Sequence, residues 1–352
     1  MPEAIYDLCV VGGAGHVGLP FALVFANAGL KTVIYDINQA ALDTIQGGTI
    51  PFMESGADLL LDKCLREKTI FFSSAPEVVS QSKTLVITIG TPVDEFLNPV
   101  FKDIQKGFEN LLPYLVDDQL LILRSTVYPG TTDWLSRWLE AHDKRLFISF
   151  CPERVVQGKS IEEILNLPQI VGGMTPEAEK MAAEFFQKVG VEIVSLSPME
   201  AEFAKLFSNA YRYISFAIAN QFYMITNSAG VDYARVMEGV KHHYPRLQGL
   251  SGAGLAAGPC LFKDTMQLNA FAKNEFVLGQ AAMNINEGLV LYIVEQLAVK
   301  YDLPNTVVGL LGMAFKPNND DIRSSLSYKF KKILKFKCKK VYTTDPYVTV
   351  DK

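Results

Sequence analysis

Short apolar runs along the chain alternate with longer stretches in which apolar residues recur every three or four positions. The first run, residues 6–11, leads into a cluster of glycines and then into an apolar-periodic stretch at 19–28. A short apolar run predicts a buried strand, and a 3.6-residue period predicts a helix. Further strand-like runs follow at residues 31–35, 84–89, 119–123 and 146–150. This alternation predicts an α/β fold built on a parallel sheet.

The glycines after the first predicted strand have the spacing G-x-G-x-x-G, beginning at Gly13. Between a strand and a helix, such glycines allow a tight turn, close approach of a pyrophosphate and packing of the helix on the strand. The second predicted strand ends in Asp36. In dinucleotide-binding domains an acid about 20 residues after the motif accepts hydrogen bonds from the adenosine ribose and favours NAD over NADP. The alternative is that the glycines only shape a turn. The residues of this N-terminal Rossmann domain predicted to bind NAD are Gly13, Gly15, His16, Val17, Gly18 and Asp36.

Three later predicted strands each end in a loop with polar or glycine residues. These loops begin at residues 90, 124 and 151. Ligands of open parallel sheets sit at the carboxyl ends of the strands, so the loops are candidate walls of a site. Ordinary surface polarity would also explain each loop taken singly.

A long stretch without an internal proline, residues 199–229, predicts a single helix. At 1.5 Å per residue it would be ~45 Å long, which suits a helix between domains or at an oligomer interface. Lys205 and Asn209 lie four residues apart and so share a face of this helix. They are candidate polar groups of a site, although a solvated lysine with an asparagine neighbour also explains the pattern.

A segment rich in glycine and alanine, residues 249–258, precedes Cys260 and Asp264. Small residues permit close approach of the backbone to a ligand. A helix that begins near Cys260 and runs through Phe271 would favour the thiolate and place Asp264 on the same face. Cys260 is therefore a candidate nucleophile, and the alternative is a small buried hydrophobe.

The last part of the chain starts a new strand-helix-strand unit. Strands predicted at 307–311 and 341–344 flank a basic amphipathic helix that ends near Lys337. Too few strands remain after it to cover both faces of a sheet, so we expect an incomplete second Rossmann-like domain, in a fragment or in a chain that another chain completes. The predicted domains are 1–198 for NAD binding, 199–300 for a central helical domain that carries Cys260, and 301–352 for the start of a C-terminal domain.

Composition and charge exclude several classes of protein. Hydrophobic residues make up 49% and charged residues 20% of the 352 positions, which excludes a disordered chain. The net charge of −5 offers no attraction for nucleic acid or an anionic membrane, and no run reaches the ~18 uninterrupted apolar residues of a membrane span. The five cysteines are scattered without a C-x-x-C pair or the ligand spacing of a metal site. We therefore predict a cytoplasmic protein with no metal, nucleic-acid or membrane partner.

Seven motifs, taken in order, resemble the UDP-glucose/GDP-mannose dehydrogenase family of nucleotide-sugar 6-dehydrogenases. They lie at residues 13–20, 90–92, 125–131, 151–154, 205–209, 260–264 and 315–323. The resemblance covers nearly the whole chain, and the ordered set is more specific than any single motif. It implies an NAD-dependent enzyme of polysaccharide biosynthesis that oxidises the C6 alcohol of a UDP-sugar to a carboxylate and forms a homodimer or a larger homo-oligomer. It also implies that the central helical domain, 199–300, is the dimerisation domain and that the C-terminal domain beginning at 301 binds the nucleotide sugar.

The resemblance also implies how this chemistry proceeds. Hydride leaves C6 for NAD, a cysteine adds to the resulting aldehyde as a thiohemiacetal, and a second hydride transfer gives a thioester that water hydrolyses. The residues that match catalytic positions are Cys260 as nucleophile, Lys205 and Asn209 beside the C6 oxygen, Asp264 as base or water-ordering group, and Thr126 and Glu153 around the water.

Further residues match positions that hold the two ligands. Those matching cofactor contacts are Thr91, Thr126 and Arg323. Those matching substrate contacts are Arg154, Val155 and Val156 in a loop whose backbone touches the sugar, Leu250, Ser251 and Gly254 in the nucleotide-sugar clamp, Arg246 as an arginine that reaches across a dimer, and Lys316, with Lys205 and Asn209.

Departures from the family pattern affect the choice of substrate. Gln157 stands where glucose-type enzymes carry a second glutamate that activates water. We therefore expect Glu153 to activate the water alone or together with Asp264. The segments 151–154 and 209–220 resemble the UDP-N-acetylmannosamine branch, whereas 260–264 resembles the glucose and GDP-mannose branch. We predict a UDP-N-acetylhexosamine as the substrate, with UDP-glucose as the alternative.

Two rival interpretations of the whole chain remain. One is a different Rossmann dehydrogenase with a helical second domain, which would use the lysine and asparagine of the long helix but no thiol. The other is an NAD-binding regulator or inactive subunit, suggested by Gln157 and the short C-terminal part. Dependence of turnover on Cys260 separates both from the favoured interpretation.

Overall fold

The computed structural model describes residues 4–90, 94, 101–256 and 258–349. The chain forms two compact units, Met1–Lys205 and Leu206–Lys352, and the division falls inside the longest helix. The domain limits predicted after residues 198 and 300 remain predictions.

The first unit alternates strands and helices, as the hydrophobic pattern predicts. Its strands are β1 Tyr6–Val11, β2 Thr32–Tyr35, β3 Ile70–Ser73, β4 Ser82–Ile87, β5 Leu120–Leu123, β6 Phe147–Phe150, β7 Gln169–Gly173 and β8 Ile193–Ser195. Its helices are α1 Gly18–Asn27, α2 Gln39–Gln46, α3 Ala57–Glu67, α4 Phe101–Leu111, α5 Thr131–Glu140, α6 Ser160–Asn166 and α7 Pro176–Gln187. β4 begins two residues before the predicted strand, since it pairs with β1 from Tyr6 and Ser82 onward.

The eight strands form one sheet in the order β3-β2-β1-β4-β5-β6-β7-β8. The predicted parallel sheet is confirmed for the other strand pairs, and β7 alone runs antiparallel to its neighbour β6. An antiparallel neighbour starts at the edge where the preceding strand ends, so the connection 151–168 leaves and returns at the carboxyl edge of β6. That edge therefore carries a connection that contains a loop and α6 and does not cross to the opposite edge.

Alternation along β1 fills two cores, one on each face of the sheet. Leu8 and Val10 pack with α1 on one face, whereas Cys9 and Val11 belong to the core on the other face. Both faces of a doubly covered sheet are apolar, which explains why the strand reads as an unbroken apolar run. The carboxyl edge is left for loops and ligands.

The second unit is helical and ends in a small sheet. Helix α8, Pro198–Ser228, runs into it from the first unit. Its other elements are α9 Tyr233–Lys241, α10 Leu261–Phe271, α11 Val277–Lys300, β9 Val307–Leu311, α12 Leu326–Lys337 and β10 Lys340–Thr344. β9 and β10 pair in parallel and form a sheet of two strands within the described residues.

Buried amides join α8 to α11. The Asn220 side chain donates to Asn286 at 2.9 Å, and Asn286 donates to the Tyr213 carbonyl at 3.0 Å. Helix α11 is the one helix in the described ranges that is long and apolar enough, by length and composition, to cross a membrane. A single such helix is weak evidence, because core helices pass the same test. In α11 the fully buried Asn286 is satisfied by protein partners.

Candidate active site

The three motif glycines in the turn after β1 differ in the space around them: two have no room for a side chain, and the third has room. A Cβ on Gly13 would lie 2.7 Å from the Val10 carbonyl oxygen. A Cβ on Gly18 would lie 2.6 Å from the Gly13 Cα, so neither position has room for a side chain. A Cβ on Gly15 would meet no atom nearer than 3.8 Å. The turn therefore packs helix on strand at its ends and leaves the backbone at Gly15 open to a ligand.

Asp36 ends β2 and faces this turn. One carboxylate oxygen accepts from the Ala14 amide at 3.0 Å, and the other accepts from the Asn38 amide at 2.9 Å. A carboxylate has about four lone-pair sites, so both oxygens keep capacity to accept from ribose hydroxyls. The glycine turn and this acid together fit a dinucleotide.

Two other residues predicted to bind NAD lie in the middle of the turn. Val17 is exposed, and the half-buried His16 stacks its ring on Phe52 with centroids 4.1 Å apart. Phe52 belongs to the connection between α2 and α3, which sequence reasoning did not select. Thr91, the remaining cofactor residue predicted near this edge, lies outside the described residues.

Glu153, after β6, is held in a buried ion pair with Arg124, after β5. An Arg124 guanidinium nitrogen lies 2.5 Å from a Glu153 carboxylate oxygen, and the guanidinium lies over the Phe21 ring at 4.4 Å. The other carboxylate oxygen of Glu153 accepts from the Val155 amide at 2.8 Å. The carboxylate is thus fixed in orientation. Sequence reasoning missed Arg124, because the pattern at a strand end does not show whether a charge is buried.

Two backbone amides of the loop after Glu153 donate to nearby carboxylates. The Val155 amide donates to Glu153, and the Val156 amide donates to Glu163 at 2.6 Å. The Arg154 guanidinium donates to the Pro168 carbonyl. Backbone contact of this loop with a sugar would therefore use its carbonyl groups, since these two amide hydrogens are already bonded.

Thr126 lies half-buried in the loop between β5 and α5. Glu202, near the start of α8, accepts from the Gly130 amide at 2.6 Å, the Thr132 amide at 2.9 Å and the Thr132 hydroxyl at 2.6 Å. Burial raises the pKa of Glu202, against the opposing effect of these hydrogen bonds. Glu202 fixes the end of the Thr126 loop, and sequence reasoning missed it although it lies one turn before Lys205.

Lys205 and Asn209 lie one turn apart on α8, and both are buried. The Asn209 amide nitrogen donates to an Asp264 carboxylate oxygen at 2.5 Å. The other Asp264 oxygen lies 3.4 Å from the Lys263 ammonium, and Asp264 is fully buried. The structure therefore brings together Asn209 and Asp264, which are 55 positions apart in the chain.

Cys260 immediately precedes α10, and its residue is exposed. The Asp264 amide donates to the Cys260 carbonyl at 2.9 Å, so the two residues are one helical turn apart. Gly258, just before, has φ +107°, and a Cβ there would lie 2.7 Å from the Phe315 ring. The glycine is thus needed for the loop to place Cys260 at the start of the helix.

The loop that precedes Cys260 is held by polar side chains of the same unit. The Gly254 amide donates to the Asn220 side-chain oxygen at 2.8 Å, which connects the loop to the buried amides of α8 and α11. The Leu250 carbonyl accepts from the Lys241 ammonium at 2.5 Å. Ser251 is half-buried between them. Asn220 and Lys241 are thus supports of the predicted clamp that sequence reasoning did not assign.

The remaining predicted ligand contacts lie elsewhere in the second unit. Arg246 is exposed and lies over the Tyr244 ring at 5.2 Å, and Lys316 is half-buried beside its neighbour Phe315. Arg323 donates to both carboxylate oxygens of Asp321, at 2.6 to 3.0 Å. These bonds raise the pKa of Arg323, with a smaller contribution from the charge of Cys260.

The cysteines differ in their surroundings. Burial raises the pKa of the Cys9 thiol, and likewise of the Cys151 thiol, to about 12. Cys64 is also buried and Cys338 is half-buried, whereas Cys260 is exposed. Within the described ranges no group of three His, Cys, Asp or Glu residues is arranged to hold a metal ion.

Comparison with known proteins finds three consecutive matches to one family. Residues 7–190 match the NAD binding domain of the UDP-glucose/GDP-mannose dehydrogenase family, residues 199–288 its central domain and residues 309–352 its UDP binding domain. The UDP-N-acetyl-D-mannosamine dehydrogenase of Pyrococcus horikoshii is 29% identical over 350 residues, covering 96% of this chain and 82% of that protein.

Solved structures agree with these matches. The structure of UDP-D-ManNAc dehydrogenase from Pyrococcus horikoshii superposes with a TM-score of 0.91 at 28% identity, covering 97% of this chain and 84% of the other. That of a UDP-glucose dehydrogenase from Pyrobaculum islandicum gives a TM-score of 0.89 at 26% identity, covering 98% and 83%. The family expected from the seven motifs is confirmed, and so is NAD as its cofactor.

Proposed function

Because the chain belongs to the UDP-glucose/GDP-mannose dehydrogenase family, we propose that it oxidises the C6 alcohol of a UDP-N-acetylhexosamine to the carboxylate, with NAD as the acceptor. One observation carries the proposal. An exposed cysteine starts α10, and one turn later the buried Asp264 is hydrogen-bonded to Asn209. A nucleophile followed by an oriented carboxylate is the arrangement that covalent oxidation of an aldehyde needs.

The glycine turn and Asp36 are the residues proposed to hold NAD. The turn is open only where a pyrophosphate would approach, and the carboxylate has acceptor capacity left for ribose hydroxyls. When bound, NAD supplies the acceptor for each hydride that leaves C6.

The side chains of the second unit are proposed to carry the covalent steps. In the first oxidation the C6 alcohol loses a hydride and its hydroxyl proton, and Asp264 is the group proposed to take that proton. The Cys260 sulfur then forms a bond to the aldehyde carbon as the carbonyl double bond opens, and the thiol proton passes to the aldehyde oxygen, which gives a thiohemiacetal. Loss of a second hydride and the hydroxyl proton gives a thioester. Water then breaks the carbon–sulfur bond, so the products are a carboxylate and the regenerated thiol.

Polar groups at the C6 oxygen lower the barrier by stabilising negative charge as it develops. Lys205 and Asn209 are proposed for this role, since an ammonium and an amide donor on one face of α8 match its needs. Thr126 and Glu153 are proposed to orient the hydrolytic water. Glu153 is suited to accept a hydrogen bond in a fixed direction, because Arg124 and the Val155 amide hold its carboxylate.

The relatives support the choice of sugar. The Pyrococcus horikoshii protein is a UDP-N-acetyl-D-mannosamine dehydrogenase, and it matches nearly the whole chain. UDP-glucose is the second candidate, favoured by the similarity to the Pyrobaculum islandicum structure. The epimers differ by contacts worth about 1–3 kcal/mol each, so a direct assay must choose among them.

A homodimer through α8 is part of the proposal. Five large apolar side chains on α8 are between 42 and 70% exposed and are spaced at helical intervals: Phe207, Tyr211, Ile218, Phe222 and Ile225. An exposed apolar stripe of this kind marks a protein interface. Light scattering after size exclusion should report a dimer for the wild type and a monomer for Phe222→Glu. Leu59→Glu, at an exposed leucine on α3, should leave the dimer intact.

The experiment that tests the function follows NADH formation with UDP-N-acetylmannosamine, UDP-N-acetylglucosamine, UDP-N-acetylgalactosamine, UDP-glucose and GDP-mannose. We expect about two NADH per sugar consumed with a UDP-N-acetylhexosamine. Cys260→Ser should abolish formation of the acid, and Cys338→Ser should not. NAD binding without turnover of any sugar would favour the inactive-subunit interpretation, whereas full turnover by Cys260→Ser would favour a thiol-independent dehydrogenase.

A further inference from the structure

A short piece of the connection between α2 and α3, residues 52–55, contacts two loops of the first unit that lie far apart in sequence. We call it the linking segment. At one end, Phe52 stacks on His16 of the glycine turn, with centroids 4.1 Å apart and an interplanar angle of 18°. At the other end, Glu54 and Ser55 bond to the loop that follows Glu153. No sequence motif selected the linking segment.

The contact at Glu54 is a buried polar clamp. Its carboxylate is 7% exposed and accepts from the Gly158 amide at 2.9 Å, the Ser160 amide at 2.6 Å and the Ser160 hydroxyl at 2.8 Å. The Ser55 amide also donates to the Gly158 carbonyl at 3.2 Å. Four hydrogen bonds therefore hold residues 158–160 to the linking segment. Removing a buried carboxylate with three donors would leave those donors unsatisfied.

The contact at Phe52 is of a different kind. His16 is half-buried and belongs to the glycine turn proposed to hold NAD, so a dinucleotide bound there would restrict its ring. The ring of Phe52 also packs against the core beneath α1, together with Val155 of the other loop. A ligand that orders the turn would thus restrict Phe52. Because Glu54 lies only two residues after Phe52, this restriction would also reach Glu54.

We propose that the linking segment couples the two ligands: NAD at the glycine turn orders residues 153–160 through Phe52 and Glu54, and thereby raises affinity for the nucleotide sugar. Phe52 and Glu54 are positioning residues, since they act through His16 and through the loop. Coupling between sites is reciprocal, so the sugar tightens NAD binding by the same factor. The contact of residues 153–160 with a nucleotide sugar rests on the proposed function, whereas the ordering of this loop by NAD does not.

The first test needs no sugar. Hydrogen exchange is measured at amides 153–160 with and without saturating NAD, after the NAD dissociation constant of each variant has been determined. In the wild type and in Phe72→Leu, a control at a half-buried phenylalanine packed on the same core, NAD should slow exchange at least about fivefold. In Phe52→Leu, saturating NAD should change it less than twofold. Equal slowing in Phe52→Leu, or no slowing in the wild type, would overturn the proposal.

The second test measures the sugar directly, with NADH in place of NAD so that no turnover occurs. Saturating NADH should tighten binding of the UDP-sugar by about tenfold in the wild type and by less than twofold in Phe52→Leu and Glu54→Gln. Glu67→Gln, at an exposed glutamate ending α3, should keep the wild-type factor. A wild-type factor retained in both linking-segment variants would contradict the coupling. Failure of the wild type to bind any sugar would count against the proposed function, and the exchange experiment would still decide the coupling.

Discussion

The amide nitrogen of Asn209 lies 2.5 Å from a carboxylate oxygen of Asp264, and both side chains are buried. The other Asp264 oxygen lies 3.4 Å from the Lys263 ammonium. Asp264, which lies one helical turn after Cys260, is therefore oriented by one donor from α8 and one cation from α10. This arrangement makes its charge, rather than its bulk, the property to test.

Replacing Asp264 by Asn should lower kcat about 10²- to 10⁴-fold, because the variant loses a base while its carbonyl oxygen can still accept from Asn209. KM should change much less. Steady-state NADH formation gives both constants, and the melting temperature shows whether the variant is folded. Glu295→Gln, which removes an exposed carboxylate from α11, is the control. A kcat within about threefold of the wild type would remove Asp264 from the mechanism.

Thiol labelling should single out Cys260 in the native protein. Iodoacetamide reacts with thiolates, and burial raises the pKa of Cys9 and of Cys151 to about 12, so these two should stay unmodified near pH 8. Mass spectrometry should find the first equivalent of label on Cys260, with loss of activity in parallel. Cys338→Ser should label at the same rate. Equal labelling of Cys151 and Cys260 would contradict the burial of the former.

Alanine at two glycines of the turn should separate folding from NAD binding. Gly15→Ala should melt within about 2 °C of the wild type, since its Cβ meets nothing nearer than 3.8 Å, yet it should weaken NAD binding about tenfold or more by blocking the open side. Gly18→Ala should lose about 1–3 kcal/mol of stability, because its Cβ would lie 2.6 Å from the Gly13 Cα. Calorimetry and NAD titration measure the two effects. Similar melting temperatures for both variants would refute this assignment.

Two glutamates of α8, Glu202 and Glu200, should contribute to the free energy of unfolding with opposite dependence on pH. Burial raises the pKa of Glu202, so its native-state carboxyl holds a proton to higher pH than in the unfolded chain. The wild type should therefore lose stability relative to Glu202→Gln as pH rises from the unfolded-state value, near 4.3, through the folded-state pKa. Urea unfolding of both proteins between pH 4 and pH 7 measures the difference.

Glu200 is the matched control for this titration. The Ser197 hydroxyl and amide donate to it and hold its pKa below the usual value, so its contribution is present above the unfolded-state pKa and is lost as pH falls. The wild type should accordingly gain stability relative to Glu200→Gln as pH rises from the lowered folded-state pKa to the unfolded-state value, so its urea unfolding is measured from about pH 3 upward. Two differences with the same sign of slope would show that the burial of Glu202 does not control its titration.

Local patterns were sufficient for much of the fold. The strand at 6–11, the long helix that the structure places at Pro198–Ser228 and the helix that starts after Cys260 follow from apolar period and glycine spacing. The antiparallel β7 did not follow, because strand direction depends on where the connection 151–168 returns. The family resemblance supplied Asn209 and Asp264 as candidates, and only folding shows that they bond.

The sequence by itself determined the α/β class, the glycine turn, a candidate nucleophile at a helix start and the family, whereas the exposure of Cys260 came from the structure. These depend on neighbours within a few residues, whose periodicity and backbone freedom are readable along the chain. Tertiary structure alone decided the partners of buried charges: Arg124 for Glu153, residues 158–160 for Glu54, and the start of α5 for Glu202. A buried charge needs bonded partners to offset the loss of water, and those partners come from distant elements that no local pattern identifies.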